Sequence, residues 1–258
     1  MSATFEQLLE FVFNHPVRKC EWYWDEDFNS RWETLELTDT ILVRYMTRLF
    51  LEPGALSSYS LDQVEQGLWF LLNESTPGQQ SKALLRREAA LIERVACIHA
   101  MSSFFRNFIL AVTPGHFDPK APTIGVDGAA YMWWDIFPMH FYMRSHAPGP
   151  TGPAAMLSIL ERWKLNAELH NAVLKEMAEE LEFEIEPEIH QATLRVMSEV
   201  LDLPSETCQF SALHGLGHWH AHHQEQVEQI VDVFLTQHKD LRPHLIEYAS
   251  RARLGSVL

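Results

Sequence analysis

The stretch from Cys208 to His220, CQFSALHGLGHWH, is the most informative in the chain. On a helix, Cys208, Ala212, Gly215, Leu216 and Trp219 line one apolar face, while Phe210, Leu213 and Gly217 line the opposite one. A helix apolar on two sides has to be sandwiched, so the pattern predicts an inner helix with neighbours in front and behind. Upstream, Pro187 to Leu201 carries Ile189, Ala192, Val196, Met197, Val200 and Leu201 at helical spacing, and Pro204 with Ser205 opens the helix that follows. Downstream, His223 to Gln237 carries Val227, Ile230, Val231, Phe234 and Leu235, and a last helix spans Leu241 to Arg253 and ends at Gly255. Helix starts repeat after about 36 residues, the range of stacked antiparallel helix pairs.

Helical periodicity extends over the rest of the chain. Between Met156 and Leu181 a long stripe of Met156, Ile159, Leu160, Trp163, Ala167, His170, Leu174, Met177 and Leu181 predicts one long helix. Ser60 and Gln63 form a capping box for Leu61, Val64, Leu68, Leu71 and Leu72, and Thr38 starts a helix that stops at Pro53 and Gly54. A further helix is expected from Ser81 to Val112. Two segments punctuate the pattern: the loop Thr113 to Gly128, TPGHFDPKAPTIGVDG, and His146 to Pro153, HAPGPTGP, with the aromatic helix YMWWDIFPMHFYM between them broken at Pro138. Alternating β-branched runs between turns do not occur, so the chain reads as all-α. It is expected to form one body, with a front section 1–128, the aromatic helix and linker 129–153, and a back section 154–258.

The string SALHGLGHWH, Ser211 to His220, resembles the second helix of a HEAT-type repeat, where small residues alternate with leucines and neighbouring helices approach closely. The resemblance covers Pro187 to Gly255. It implies stacked antiparallel helix pairs, an α-solenoid at least in the C-terminal third, acting as a scaffold that binds another macromolecule. No comparable period is visible before Met156.

The 258 residues include 35 acidic against 20 basic side chains, a formal net charge of −15. Such a charge repels nucleic acid and anionic membrane surfaces and favours a basic protein or peptide as partner. Three scattered cysteines without a CxxC pair suggest neither a disulfide framework nor a thiolate zinc site, and a reducing, cytoplasmic setting is the simplest expectation. The N-terminal pattern carries Glu6 and Glu10, unlike a signal peptide. Phe104 to Val112 and Tyr131 to Met143 fall short of the roughly 18 apolar residues of a span, so no membrane segment is expected.

Two constellations carry chemistry. Five of the fourteen histidines, His214, His218, His220, His222 and His223, lie within ten residues. If the helix continues, His214, His218, His222 and Glu225 share one edge, where imidazoles hold zinc or another divalent metal. That edge would make a metal-dependent hydrolase, the alternative to a non-catalytic scaffold, which needs no cofactor. HGLGH puts Gly215 where the H-E-x-x-H general base stands, so the metalloprotease mechanism of that motif is excluded. A structural reading has His214 and His218 bonding between helices and His220 to His223 forming a polar turn. His116 and Asp118 sit together in the long loop, as a lid or as a plain connector. The second constellation sets Glu21, Asp25, Glu26 and Asp27 among Trp22, Tyr23, Trp24 and Phe28. Trp22, Trp24 and Trp133 are expected as aromatic anchors for a basic partner, with Asp25, Glu26 and Asp27 supplying charge. P-loop, dinucleotide, G-x-S-x-G and EF-hand motifs do not occur.

Overall fold

The computed structural model describes residues 2–19, 21–72, 80–113, 115–117, 125–136 and 186–257. Among these residues every regular element is helical, in agreement with the all-α expectation. The front comprises α1 (Phe5–Phe13), α2 (Phe28–Glu33), α3 (Asp39–Leu51), α4 (Leu61–Leu72) and α5 (Leu91–Phe104), with short 3₁₀ turns between several of them. The middle holds α6 (Leu110–Val112), α7 (Gly125–Tyr131) and α8 (Trp133–Ile136), and the back holds α9 (Pro187–Leu201), α10 (Glu206–Gln237) and α11 (Pro243–Ala252). The expected helix 156–181, the linker 146–153, Asp118 and the aromatic stretch beyond Ile136 lie outside the described residues.

The local signals act as their chemistry dictates. Thr38 accepts a hydrogen bond from the Ile41 amide, which caps α3. At α4, Gln63 N donates to Ser60 Oγ and Ser60 N donates to Gln63 Oε1, completing the capping box. The expected helix over 81–112 is shorter at its start. Arg94 donates to the carbonyls of Ala89 and Leu84, and Thr40 donates to the Glu88 carbonyl, so this backbone is held by side-chain partners and α5 begins only at Leu91. At its far end α5 continues through a π-helical turn, Phe105–Ile109, into α6. By length and composition Leu91–Val112, 22 residues, is apolar enough to cross a membrane, which the short window 104–112 did not suggest. In the molecule this helix packs on α3 and α9, and Arg94, Cys97, Ile98 and Met101 are buried along it. The expected loop 113–128 also gives way at its end, because α7 starts at Gly125, whose φ of 77° suits glycine and whose amide donates to Glu65.

Helix α10 is the inner helix that its two apolar faces require. It packs against α9 and α11, and against α7 and α8 of the middle section. Every residue from Glu206 to Gly217 is buried. Close approach is essential at Gly215, where an added Cβ would overlap Trp134 Cβ and stand 2.8 Å from Met197 Sδ. At His223 the backbone leaves the helical region (φ −136°, ψ 40°), so α10 bends there into a second segment.

One apolar cluster runs through the described residues from α1 to the C-terminal tail. Its front holds the rings of Trp22, Phe28 and Phe70, and its centre holds Phe50, Phe104, Phe105, Trp133 and Trp134. Two expected anchors therefore need correction. Trp22 (2% exposed) and Trp133 (1%) are core residues and offer no surface, because their large rings gain more from packing than from a partner.

Candidate functional site: a His–Glu–His centre at the start of helix α10

The expected metal edge does not converge. The His214 Nδ1 shares a 2.8 Å hydrogen bond with Tyr248 OH, which shares another of 2.8 Å with Tyr131 OH, and the His214 ring lies over Tyr131. His218 meets His214 edge to face, with ring centroids 4.7 Å apart. Beyond His222 the bend at His223 breaks the edge, and Glu225 lies exposed past it, lining an open acidic groove with Glu228 and Asp232. Among the described residues, no three of His214, His218, His222 and Glu225 bring donor atoms within 4.8 Å of one another. The helix bends before it can present all four, and the tyrosine pair holds the His214 ring through its Nδ1.

A different trio does converge. Ligand atoms of His116, Glu206 and His244 all lie within 4.8 Å of one another. Three separate elements bring them together. His116 comes from the chain after α6, Glu206 is the first residue of α10, and His244 lies in the first turn of α11. Helix α10 can begin at Glu206 because Ser205 is extended, and its packing against α11 sets the last helix beside it. The Glu206 carboxylate is one-tenth exposed. Its Oε2 lies 2.8 Å from His116 Nδ1 and accepts a 3.1 Å hydrogen bond from the Phe117 amide. Its Oε1 lies 3.6 Å from His244 Nε2, a buried nitrogen that makes no hydrogen bond. The His244 ring stacks on Phe210 at 5.7 Å with planes 8° apart, which fixes the direction of that nitrogen. Arg242 completes the group by donating from Nε and Nη2 to the two carboxylate oxygens, and it also contacts His116 Nδ1.

These three side chains could hold a first-row divalent cation only if Arg242, which contacts His116 Nδ1 and both Glu206 oxygens, moves aside. Donors at about 2.0–2.2 Å around a tetrahedral ion stand about 3.4 Å apart, close to the His244 to Glu206 spacing. His116 is mostly exposed and can move out by the few tenths of an ångström that its shorter contact demands. Two imidazoles and one carboxylate leave coordination positions free for water or another ligand. Phe117 and Phe210 pack together beside the trio, and Phe210 also touches Tyr248, so an apolar wall separates the centre from the Tyr131–Tyr248–His214 chain.

Other histidines form a second group, between α9 and α10. His190 Nδ1 and His223 Nε2 share a 2.8 Å hydrogen bond, and Trp219 stacks on the His223 ring. Burial, then the charges of His223 and His222, press the His190 imidazole down to about 4. Burial lowers His223 as well.

The expected docking segment is only partly on the surface. Trp24 is half exposed and Glu26 and Asp27 face solvent, whereas Asp25 is engaged by Arg18 at 2.9 Å and Tyr23 is buried beside Trp22. Sequence reasoning reached His116 as a loop residue but missed Glu206 and His244. No local motif marks them, since Glu206 lies 90 positions from His116 and 36 from Arg242 along the chain. The one available signal was a carboxylate directly after a helix-opening Pro-Ser, the only charged residue in the first turns of its helix. Searches of family models, curated proteins and solved structures find no match to this chain.

Proposed function

We propose that the protein is a metal-dependent hydrolase of the zinc class, with its metal held by His116 Nδ1, His244 Nε2 and the Glu206 carboxylate. The observation that carries this reading is the convergence of His116, Glu206 and His244, whose ligand atoms all lie within 4.8 Å of one another, with the buried His244 Nε2 3.6 Å from Glu206 Oε1. An ion with two imidazole and one carboxylate ligands keeps positions open, and water bound there becomes a nucleophile near neutral pH. Elemental analysis of untagged protein, purified without added metal, tests the assignment. Zinc, or a neighbour of zinc, is expected at about one equivalent. His116→Ala and His244→Ala should lose it, and His222→Ala should keep it. Retention by the first two variants, or a metal-free parent that does not take up zinc on addition, overturns the reading.

A second reading rests on surface charge. Trp24 with Glu26 and Asp27, on a chain of net charge −15, supports docking of a basic protein or peptide. Capture of a polylysine probe should weaken steeply between low and physiological salt and fall further in Trp24→Ala, and binding indifferent to salt contradicts it. The HEAT-type stacking proposed for 187–255 is supported by the serial packing of α9 on α10 and α10 on α11.

A further inference from the structure

A metal at this centre creates a charge problem that Arg242 makes sharper. With neutral imidazoles, Glu206 and Arg242 cancel, since the guanidinium engages both carboxylate oxygens. A divalent ion brings the site to a net charge of about +2 beside a carboxylate that is mostly shielded from water. The ion also competes with Arg242 for the same two oxygens. Resting on the metal reading above, we propose that the centre takes an oxyanion, bound between the metal and Arg242, and that metal and oxyanion bind cooperatively.

Three features support this. The Arg242 side chain is nearly half exposed, so its head can turn from Glu206 towards solvent without unpacking a core. The planar guanidinium presents paired donors that match carboxylate, sulfate and phosphate oxygens. The Phe117 amide also holds Glu206 Oε2, so the carboxylate keeps its orientation for the metal once Arg242 has left. Three protein donors would fill only part of a coordination sphere, and His116 and Arg242 are both substantially exposed. The substrate class implied is a small molecule or chain end bearing a carboxylate or a phosphate-like group.

The test is calorimetric titration of zinc into the full chain in a nitrate background, alone, with sulfate and with acetate. Sulfate is the tetrahedral probe and acetate the planar one. At least one of them should tighten zinc binding roughly tenfold, the value of a charge-assisted hydrogen bond. In Arg242→Gln that gain should vanish, while zinc alone should bind at least as tightly as in the parent because the competing cation is gone. Arg242→Lys keeps the charge but loses the fork, and should retain only part of the gain. A preference for sulfate assigns phosphate-like ligands, and a preference for acetate assigns carboxylates. Zinc binding that ignores both anions, or an undiminished anion effect in Arg242→Gln, overturns this inference and leaves the metal centre standing. Failure of the parent to bind zinc under any condition overturns both.

Discussion

Arg94 ties three parts of the chain together. It is 2% exposed, donates to the carbonyls of Leu84 and Ala89, and meets Glu186 at the start of α9 through two bonds of 2.7 and 3.1 Å. Its bonds hold the Glu186 carboxyl below the usual range. Arg94→Met removes the cation and leaves two carbonyls and a partly buried carboxylate without it, so a loss of about 3–5 kcal/mol is expected in urea unfolding. A change within a few tenths would mean that α9 is held to α5 by apolar packing alone. The His190–His223 pair sets a pH dependence. An imidazole that titrates at 6.5 when unfolded and about 4 when folded is protonated first in the unfolded state. Its contribution is therefore complete above pH 6.5 and is lost as the pH falls towards 4. The melting temperature should drop across that window, and His190→Phe should flatten the drop. An equal slope in the variant would place the acid sensitivity elsewhere.

Among the elements, α10 shows why some of the fold was legible. Two apolar faces separated by small residues require burial on both sides, and the sequence pattern at Cys208 to Trp219 is enough to show it. Caps were legible for the same local reason, since Thr38, Ser60 and Gln63 act on amides three residues away. The start of α5 was not legible, because Leu85 to Ala90 are good helix formers overridden by partners in Thr40 and Arg94. The two glycines of α10 separate packing from propensity. Gly215→Ala gains about 1 kcal/mol of helix propensity but drives a Cβ into Trp134 on α8 and Met197 on α9, where overpacking costs about 1–3 kcal/mol. Gly217→Ala drives a Cβ to within 2.4–3.0 Å of the side chain of Val257, which is buried in the same apolar cluster, so it overpacks the opposite side of the helix. Both variants should therefore lower the melting temperature. A variant as stable as its parent would contradict the picture of α10 as a helix clamped on two sides.

For the whole molecule, composition and periodicity were sufficient for the all-helical class and insufficient for the site. Trp22 and Trp133 illustrate the difference, since an aromatic beside carboxylates reads the same whether its ring faces a partner or the core. The histidine cluster in α10 misled in a related way. His214, His218 and His222 are close along the chain, yet a bend at His223 and the Tyr131–Tyr248 pair govern what that edge can present. His116, Glu206 and His244 meet only because α10 and α11 pack side by side and the chain after α6 returns to them, a convergence that exists in three dimensions and leaves no spacing to read.

Whether this convergence binds a metal governs everything proposed for the site. Cobalt(II) titration followed by visible absorption addresses it at the ion itself, because ligand-field bands report donor type and geometry. Bands of a four- or five-coordinate nitrogen and oxygen site are expected, saturating near one equivalent and lost in His244→Ala. A spectrum indistinguishable from aqueous cobalt, or one unchanged in His244→Ala, would refute the metal centre.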